Sequence, residues 1–136
     1  MITPGGGHLS LARVTRETVI LIHDHAAAVG ETWDFGVRDV GSVDHFVTQI
    51  RRRAEAVEER VDLAAWAMHY IVAEHPFWDA NHRTGYHMAQ TILRAFGVQI
   101  GGTSAEIELG VRAIDREGLT AEDVARWIRP RLVPYP

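Results

Sequence analysis

Apolar residues return along this chain with the three-to-four residue spacing of one helix face after another, and no continuous stretch alternates as a strand would. Val19, Ile22, Ala26 and Val29 share a face of a helix that Thr15 can cap and that stops near Gly30. After the glycine-interrupted loop ETWDFGVRDVGS, Ser42 can cap a second helix through about Val57, with Val43, Phe46, Val47 and Ile50 inward. Asp62 opens a third, with Leu63, Trp66, Ala67, Tyr70 and Ile71 inward. It must end before Pro76, because the residue preceding a proline disfavours helical geometry. Met88, Ala89, Ile92, Leu93 and Phe96 form the stripe of a fourth, closed by Gly97 as a left-handed cap. Ser104 to about Glu117 turns Ile107, Val111 and Ile114 inward, and Thr120 to about Arg129 turns Val124, Ala125 and Ile128 inward before Pro130 ends it. The expected fold class is all-α, a compact bundle of about six helices with the polar loop between two central ones.

A chain of 136 residues can bury one sizeable core, so a single domain is expected over residues 15–130, with a glycine-rich flexible leader at 1–14 and a short tail at 131–136. A net charge of -4 argues against broad binding to nucleic acid, although Arg51, Arg52 and Arg53 form a local basic patch. The charge-dense RRRAEAVEER reads as a solvated face. The chain has no cysteine, which excludes disulfides and thiolate chemistry and leaves only His, Asp and Glu for zinc. No apolar run approaches the roughly 20 residues of a membrane-spanning helix, and the start carries no basic segment followed by an apolar one; the expected address is the cytoplasm. All fourteen basic residues are arginine, so a basic position cannot be read for lysine.

The stretch HPFWDANHRTG, His75 to Gly85, places an acid, an amide, an arginine and two histidines where two core helices should only turn a corner. A loop entering a helix exposes the unpaired N–H groups of its first turn, which with the helix dipole make an anion site. Ala80 lets the backbone approach a ligand closely, Asn81 can orient the turn or donate to phosphate oxygens, and Arg83 offers a planar fork for phosphate. Asp79 beside a polyphosphate suits Mg²⁺, which takes one or two carboxylates and completes its shell with water and phosphate oxygens. His75 is then the candidate base for phosphoryl or nucleotidyl transfer, and Phe77 the buried anchor that keeps the loop in register. The plainer alternative has Asp79 and Asn81 capping the next helix, Arg83 in a surface ion pair and His75 as an ordinary helix-end histidine.

The run His75-Pro-Phe-Trp-Asp79-Ala-Asn81-His-Arg83-Thr resembles the Fic-domain signature H-[x]-F-x-[D/E]-[A/G]-N-[G/K]-R, departing only at His82. The core around Asp79 to Thr84, the helix after it with Phe96-Gly97-Val98, and the upstream Ile22-His23-Asp24, Gly36-Val37-Arg38-Asp39 and Gly41 are most similar to the death-on-curing (Doc) branch. The likeness spans roughly residues 15 to 130. It implies an all-helical fold that binds ATP and Mg²⁺ and modifies a hydroxyl of a target protein. It makes His75 the base, Asp79 the metal ligand, Ala80, Asn81, His82 and Arg83 the nucleotide and phosphate binders, and Phe77 the loop anchor. In the Doc branch the implied reaction is transfer of the γ-phosphoryl group of ATP to a translation factor, elongation factor Tu. Most Fic enzymes transfer AMP instead, and a degenerate Fic domain serving as a binding module is a further alternative. AMP-transferring members have Gly where His82 stands and a second Arg where Tyr86 stands, whereas the Doc branch has Lys and an apolar residue; His82 is nearer to Lys in volume and donor capacity.

Fic enzymes are restrained by a helix carrying [S/T]-x-x-x-E-[G/N], and Ser104-Ala-Glu-Ile-Glu108-Leu keeps the serine and glutamate but ends in Leu109. A separate antitoxin is therefore the expected restraint, and the Ser104–Glu108 spacing reads as a surface coincidence. His23 and His25 lie two residues apart and read as helix-surface or core-edge residues rather than a metal pair, and no H-E-x-x-H occurs. Trp33, Trp66 and Trp127 read as core or core-edge residues, with Trp78 at the rim of the site.

Overall fold

One helix, Arg60–Glu74, is apolar on most of its circumference and is buried accordingly: Leu63, Ala64, Ala67, Met68, Ile71 and Val72 are all shut from solvent. The computed structural model describes residues 6–29 and 36–136, and within them several other helices pack directly on this axis. In chain order the elements are α1 (Gly6–Leu11), α2 (Arg16–Ala28), α3 (Val40–Glu55), α4 (Arg60–Glu74), α5 (Asn81–Arg94), β1 (Val98–Ile100), α6 (Ser104–Arg116) and α7 (Ala121–Ile128). A 3₁₀ turn (Arg129–Arg131) and β2 (Leu132–Pro134) complete the chain. The all-α bundle read from the periodicity is the fold observed. Helix α4 packs mainly against α5 and α7, and α2 packs across α5, so the loop between α4 and α5 emerges beside α2.

Local chemistry explains most helix starts. The side chains of Thr15, Asp39, Glu59, Thr103 and Thr120 each accept a first-turn N–H, and Thr120 with Asp123 closes a capping box. Two caps differ from the sequence reading. Asp39, not Ser42, caps α3, with Ser42 N–H donating to its carboxylate; Glu59, not Asp62, caps α4, and Asp62 falls in the first turn where negative charge also suits the dipole. Several acceptors in a row compete for the same first-turn donors, and packing chooses between them.

Residues 6–14 and 131–136, within the expected leader and tail, carry regular structure. Residues 6–11 form α1, with Leu11 buried and Gly7 lying so close to Phe96 that an added Cβ would stand 2.7 Å from its ring. The His8 Nε2–H donates to the Glu58 carbonyl at 2.6 Å. At the other end β2 pairs antiparallel with β1, Gln99 opposite Val133, a two-stranded ribbon too short to show as alternation. The arginine cluster of α3 is engaged within the fold: Arg51 donates to the Ala12 carbonyl, and Arg53 lies over the Trp66 ring while pairing with Glu58. Trp66 and Trp127 are half-buried at the core edge, whereas Trp33 and part of the loop between α2 and α3 lie outside the described residues.

Candidate active site

The chain leaves α4 through His75, whose left-handed backbone (φ 50°) ends the helix one residue before the proline that forbids its continuation. Arg38 secures this end, donating from Nε to the His75 carbonyl at 2.6 Å and from Nη2 to the Glu74 carbonyl at 2.7 Å. Residues 36–38 then run antiparallel to residues 76–78. Arg38 N–H donates to the Pro76 carbonyl and Trp78 N–H to the Gly36 carbonyl, so Val37 and Phe77 face each other as a non-hydrogen-bonded pair.

That pairing leaves the Phe77 N–H and C=O pointing away from residues 36–38, and Asn81 takes both. Its Oδ1 accepts from Phe77 N–H at 3.2 Å and its Nδ2 donates to the Phe77 carbonyl at 3.0 Å, with both residues buried. The sequence reading offered Asn81 two roles, orienting the turn or donating to phosphate; its side-chain amide performs the first with one hydrogen of Nδ2 and one lone pair of Oδ1, and Asn81 also lines the cavity described below. Phe77 is 1% exposed and stacks flat on His23 at 3.8 Å. His23 itself is fully buried, and its Nε2–H donates to the Asp79 carbonyl at 3.0 Å while Nδ1 faces the Asp24 carboxylate at 3.2 Å. From sequence His23 was a surface or core-edge residue; it is a clamp on the loop from a helix 56 positions earlier.

Helix α5 begins differently from α2, α3, α4, α6 and α7. Its N-cap is Ala80, in left-handed backbone (φ 62°), with no side chain to cap the first turn, so the N–H groups of that turn face outward beside the loop. The part of the plainer reading in which Asp79 and Asn81 cap α5 does not hold: among the described residues Asp79 Oδ1 accepts from Ala80 N–H, at 2.7 Å, and Asn81 is turned to Phe77. Thr84 donates from its hydroxyl to the Ala80 carbonyl at 2.7 Å and fixes the turn from below.

His75, Trp78, Asp79, Ala80, Asn81, His82 and Arg83 all line one open cavity of about 860 Å³, closed on the other side by Tyr86 and by Ser104, Ile107, Glu108, Val111 and Arg112 of α6. Phe77 lies behind its floor. Trp78 stands 60% exposed at the rim. The His75 Nδ1 lies 3.4 Å from the Ala73 carbonyl, and since a carbonyl only accepts, the tautomer that satisfies it carries the proton on Nδ1 and the lone pair on Nε2. Tyr86 is held by Gln90: the Gln90 Oε1 accepts Ile100 N–H, which fixes the amide so that its Nε2 donates to the Tyr86 hydroxyl at 2.8 Å and to the Ile100 carbonyl. Ser104 and Glu108, read as a surface coincidence, both stand on the cavity wall, where Glu108 is turned along α6 to accept from Arg112 at 3.0 Å.

Asp115, which no sequence motif marked, reaches His82 across the gap between α6 and α5, its two carboxylate oxygens 3.1 and 3.0 Å from Nε2. Burial pushes the Asp115 carboxyl up, but the hydrogen bond from His82, with its positive charge when that ring is protonated, outweighs it and holds the group below its usual range. On the far side of α5, His87 is pushed below the usual imidazole range, first by burial and then by the nearby charges of His25, Arg94 and Arg83. Among the described residues no three His, Asp or Glu side chains gather into a metal cage. A single exposed carboxylate such as Asp79 is nonetheless the donor Mg²⁺ uses when phosphate oxygens and water complete its shell, so the loop fits that cation.

The described residues contain no helix long and apolar enough to cross a membrane. No curated protein matches the chain. A family model described as the Fic/DOC family matches residues 13–93, more than half of the chain, including the whole loop from His75 to Thr84 and the α2 residues that clamp it. Enzymes of that family are in general transferases that move AMP or a phosphoryl group onto proteins, with ATP and a divalent metal. With its helical bundle, its loop and its clamp all inside or around the matched segment, the chain belongs to the Fic/DOC family.

Proposed function

We propose that this protein is a Doc-like protein kinase, transferring the γ-phosphoryl group of ATP to a hydroxyl of a target protein. The observation that carries the reading is the meeting, around one cavity, of an uncapped helix start with His75, Asp79, His82 and Arg83. A triphosphate lying against the first turn of α5 would meet its outward N–H groups and the Arg83 guanidinium, which oppose its charge and fix its orientation. Asp79 would hold Mg²⁺, which when bound would supply positive charge against the phosphates. His75, with its Nε2 lone pair, would accept the proton of the target hydroxyl as that oxygen attacks the γ-phosphorus and ADP leaves. Phe77, Asn81 and His23 hold these groups in register and take no part in the chemistry.

Two features favour phosphoryl over AMP transfer. Tyr86 stands where AMP-transferring members of the family carry a second arginine, and its hydroxyl is tied to Gln90. His82 stands where the Doc branch carries lysine, and it is paired with a carboxylate as a cation would be. The target by this reading is a translation factor such as elongation factor Tu, and a separate antitoxin is the proposed restraint.

The test is a transfer assay in a translating lysate with ATP labelled on the γ or the α phosphate, and His75→Ala as control. Label from the γ position on a protein, lost in His75→Ala while the variant keeps its helical circular dichroism, is the expected result. Label from the α position would overturn phosphoryl transfer in favour of AMP transfer. No transfer from either would sink the catalytic reading and leave a nucleotide-binding module.

A further inference from the structure

His82 is the second residue of α5 and stands on the cavity wall, yet its only hydrogen-bonding partner among the described residues is Asp115, near the end of α6. Because a carboxylate can only accept, the His82 Nε2 must carry a hydrogen, and both oxygens of Asp115 sit within 3.1 Å of it. The other ring nitrogen, Nδ1, has no partner among the described residues. The ring meets that of His75 edge-on at 6.3 Å, which puts it at the end of the cavity where the base stands. In this arrangement a neutral His82 would turn a lone pair, an acceptor, toward any phosphate on its open side. Only the doubly protonated ring has a donor for each of two anions.

We infer that Asp115 is a positioning residue that makes His82 a proton-dependent phosphate clamp: the carboxylate holds Nε2–H, and a phosphate arriving in the cavity draws one proton from solvent onto Nδ1, which then donates to it. This rests on the reading of the cavity as a nucleotide phosphate site and adds to it how a chain without lysine supplies a cation there. The proton comes from bulk water and returns to it on release, so nothing is consumed. Asp115 touches neither nucleotide nor target; it acts through His82 alone. Among the described residues, the other charged and titratable groups around the cavity are His75 at the end of α4, Asp79 in the loop, Arg83 and Tyr86 on α5, and Glu108 and Arg112 on α6. Glu108 and Arg112 are already paired with each other. His75 is the one other imidazole there, so the test must separate it from His82.

The experiment is calorimetric titration of the full chain with ATP and Mg²⁺ at about pH 8, above the ordinary imidazole range, in two buffers of different ionisation enthalpy. Wild type should take up close to one proton per nucleotide, and His82→Lys, which keeps His75 but brings its own charge, should take up none. Asp115→Asn, at a partly exposed position that the fold tolerates, should weaken nucleotide binding by about tenfold at pH 8 and far less at about pH 6. In the His82→Lys background the same Asp115→Asn change should alter affinity by less than about twofold, since the residue it positions is gone. Binding without proton uptake, or an Asp115→Asn loss that is equal at both pH values or undiminished in the double variant, would overturn the inference and leave the phosphate site standing. Failure of wild type to bind ATP at all would overturn the phosphate site and the clamp together.

Discussion

Asn81 offers the sharpest division between holding the loop and holding a ligand. Its amide satisfies the N–H and the carbonyl of Phe77, and with Asn81 5% exposed and Phe77 1% exposed, water cannot replace it. Truncation in Asn81→Ala would strand both backbone groups. Each orphaned buried group costs about 1–3 kcal/mol, so the two together cost about 2–6 kcal/mol, and alanine recovers roughly 0.5 kcal/mol of helix propensity at the start of α5, which leaves a net loss of about 1.5–5.5 kcal/mol. At roughly 4 °C per kcal/mol for a domain of this size, Tm should fall by about 6–22 °C. Asn81→Asp makes the same point with almost no change of shape: it keeps the acceptor, loses the donor and sets an oxygen against the Phe77 carbonyl. The assay is thermal and urea unfolding followed by circular dichroism, without nucleotide. If Asn81 were simply a phosphate donor facing the cavity, both variants would unfold within about 2 °C of wild type, as surface substitutions do. That result would refute the clasp.

Three further outcomes follow from the same packing. His23→Phe keeps the ring against Phe77 but loses the bond to the Asp79 carbonyl, and should cost about 1 kcal/mol, against roughly 3 kcal/mol for the cavity left by His23→Ala; urea unfolding of the pair would show the separation, and equal losses would deny the stacking its role. Gly110→Ala drives a methyl group into the Trp127 indole, which Arg131 covers on one face, so it should cost about 1–3 kcal/mol and alter tryptophan fluorescence; an unchanged spectrum would place Trp127 elsewhere. His87, held below its usual range by burial and then by neighbouring positive charge, binds its proton more readily in the unfolded chain. Stability should therefore rise with pH through the window from the depressed value up to about 6.5, where the free imidazole titrates, and level off above it. A Tm series over that window should be shallower in His87→Gln, and an unchanged slope would assign the effect to another group.

The helices were legible because what makes them is local. Periodic apolar residues, a threonine before a first turn and a glycine or proline after the last fixed Arg16–Ala28, Ser104–Arg116 and Ala121–Ile128 to within a residue or two. The same local rule misplaced the starts of α3 and α4, where Asp39 and Ser42, or Glu59 and Asp62, all qualify as caps and only packing chooses between them. It also missed α1 and the ribbon of β1 and β2. Gly6–Leu11 owes its order to Phe96 and Glu58, and Leu132–Pro134 owes its order to Val98–Ile100, contacts that no window of sequence contains.

The loop from His75 to Thr84 stood out as a candidate site by itself, since an acid, an amide, an arginine and histidines at a helix junction share a short reach of backbone. What each side chain does there was decided in three dimensions. Asn81 turned inward because residues 36–38, pairing with 76–78, left the polar groups of Phe77 unanswered. His23 and Asp115 lie 56 and 33 positions from the groups they hold, and a hydrogen bond formed across that much chain has no signature in either segment alone. Thus the sequence by itself determined the helices and where the polar loop falls, because periodicity and caps act over a few residues. Only the packing of α2 and α6 against α5 decided which groups brace that loop, because burial leaves each of its polar atoms to find a partner wherever the fold brings one.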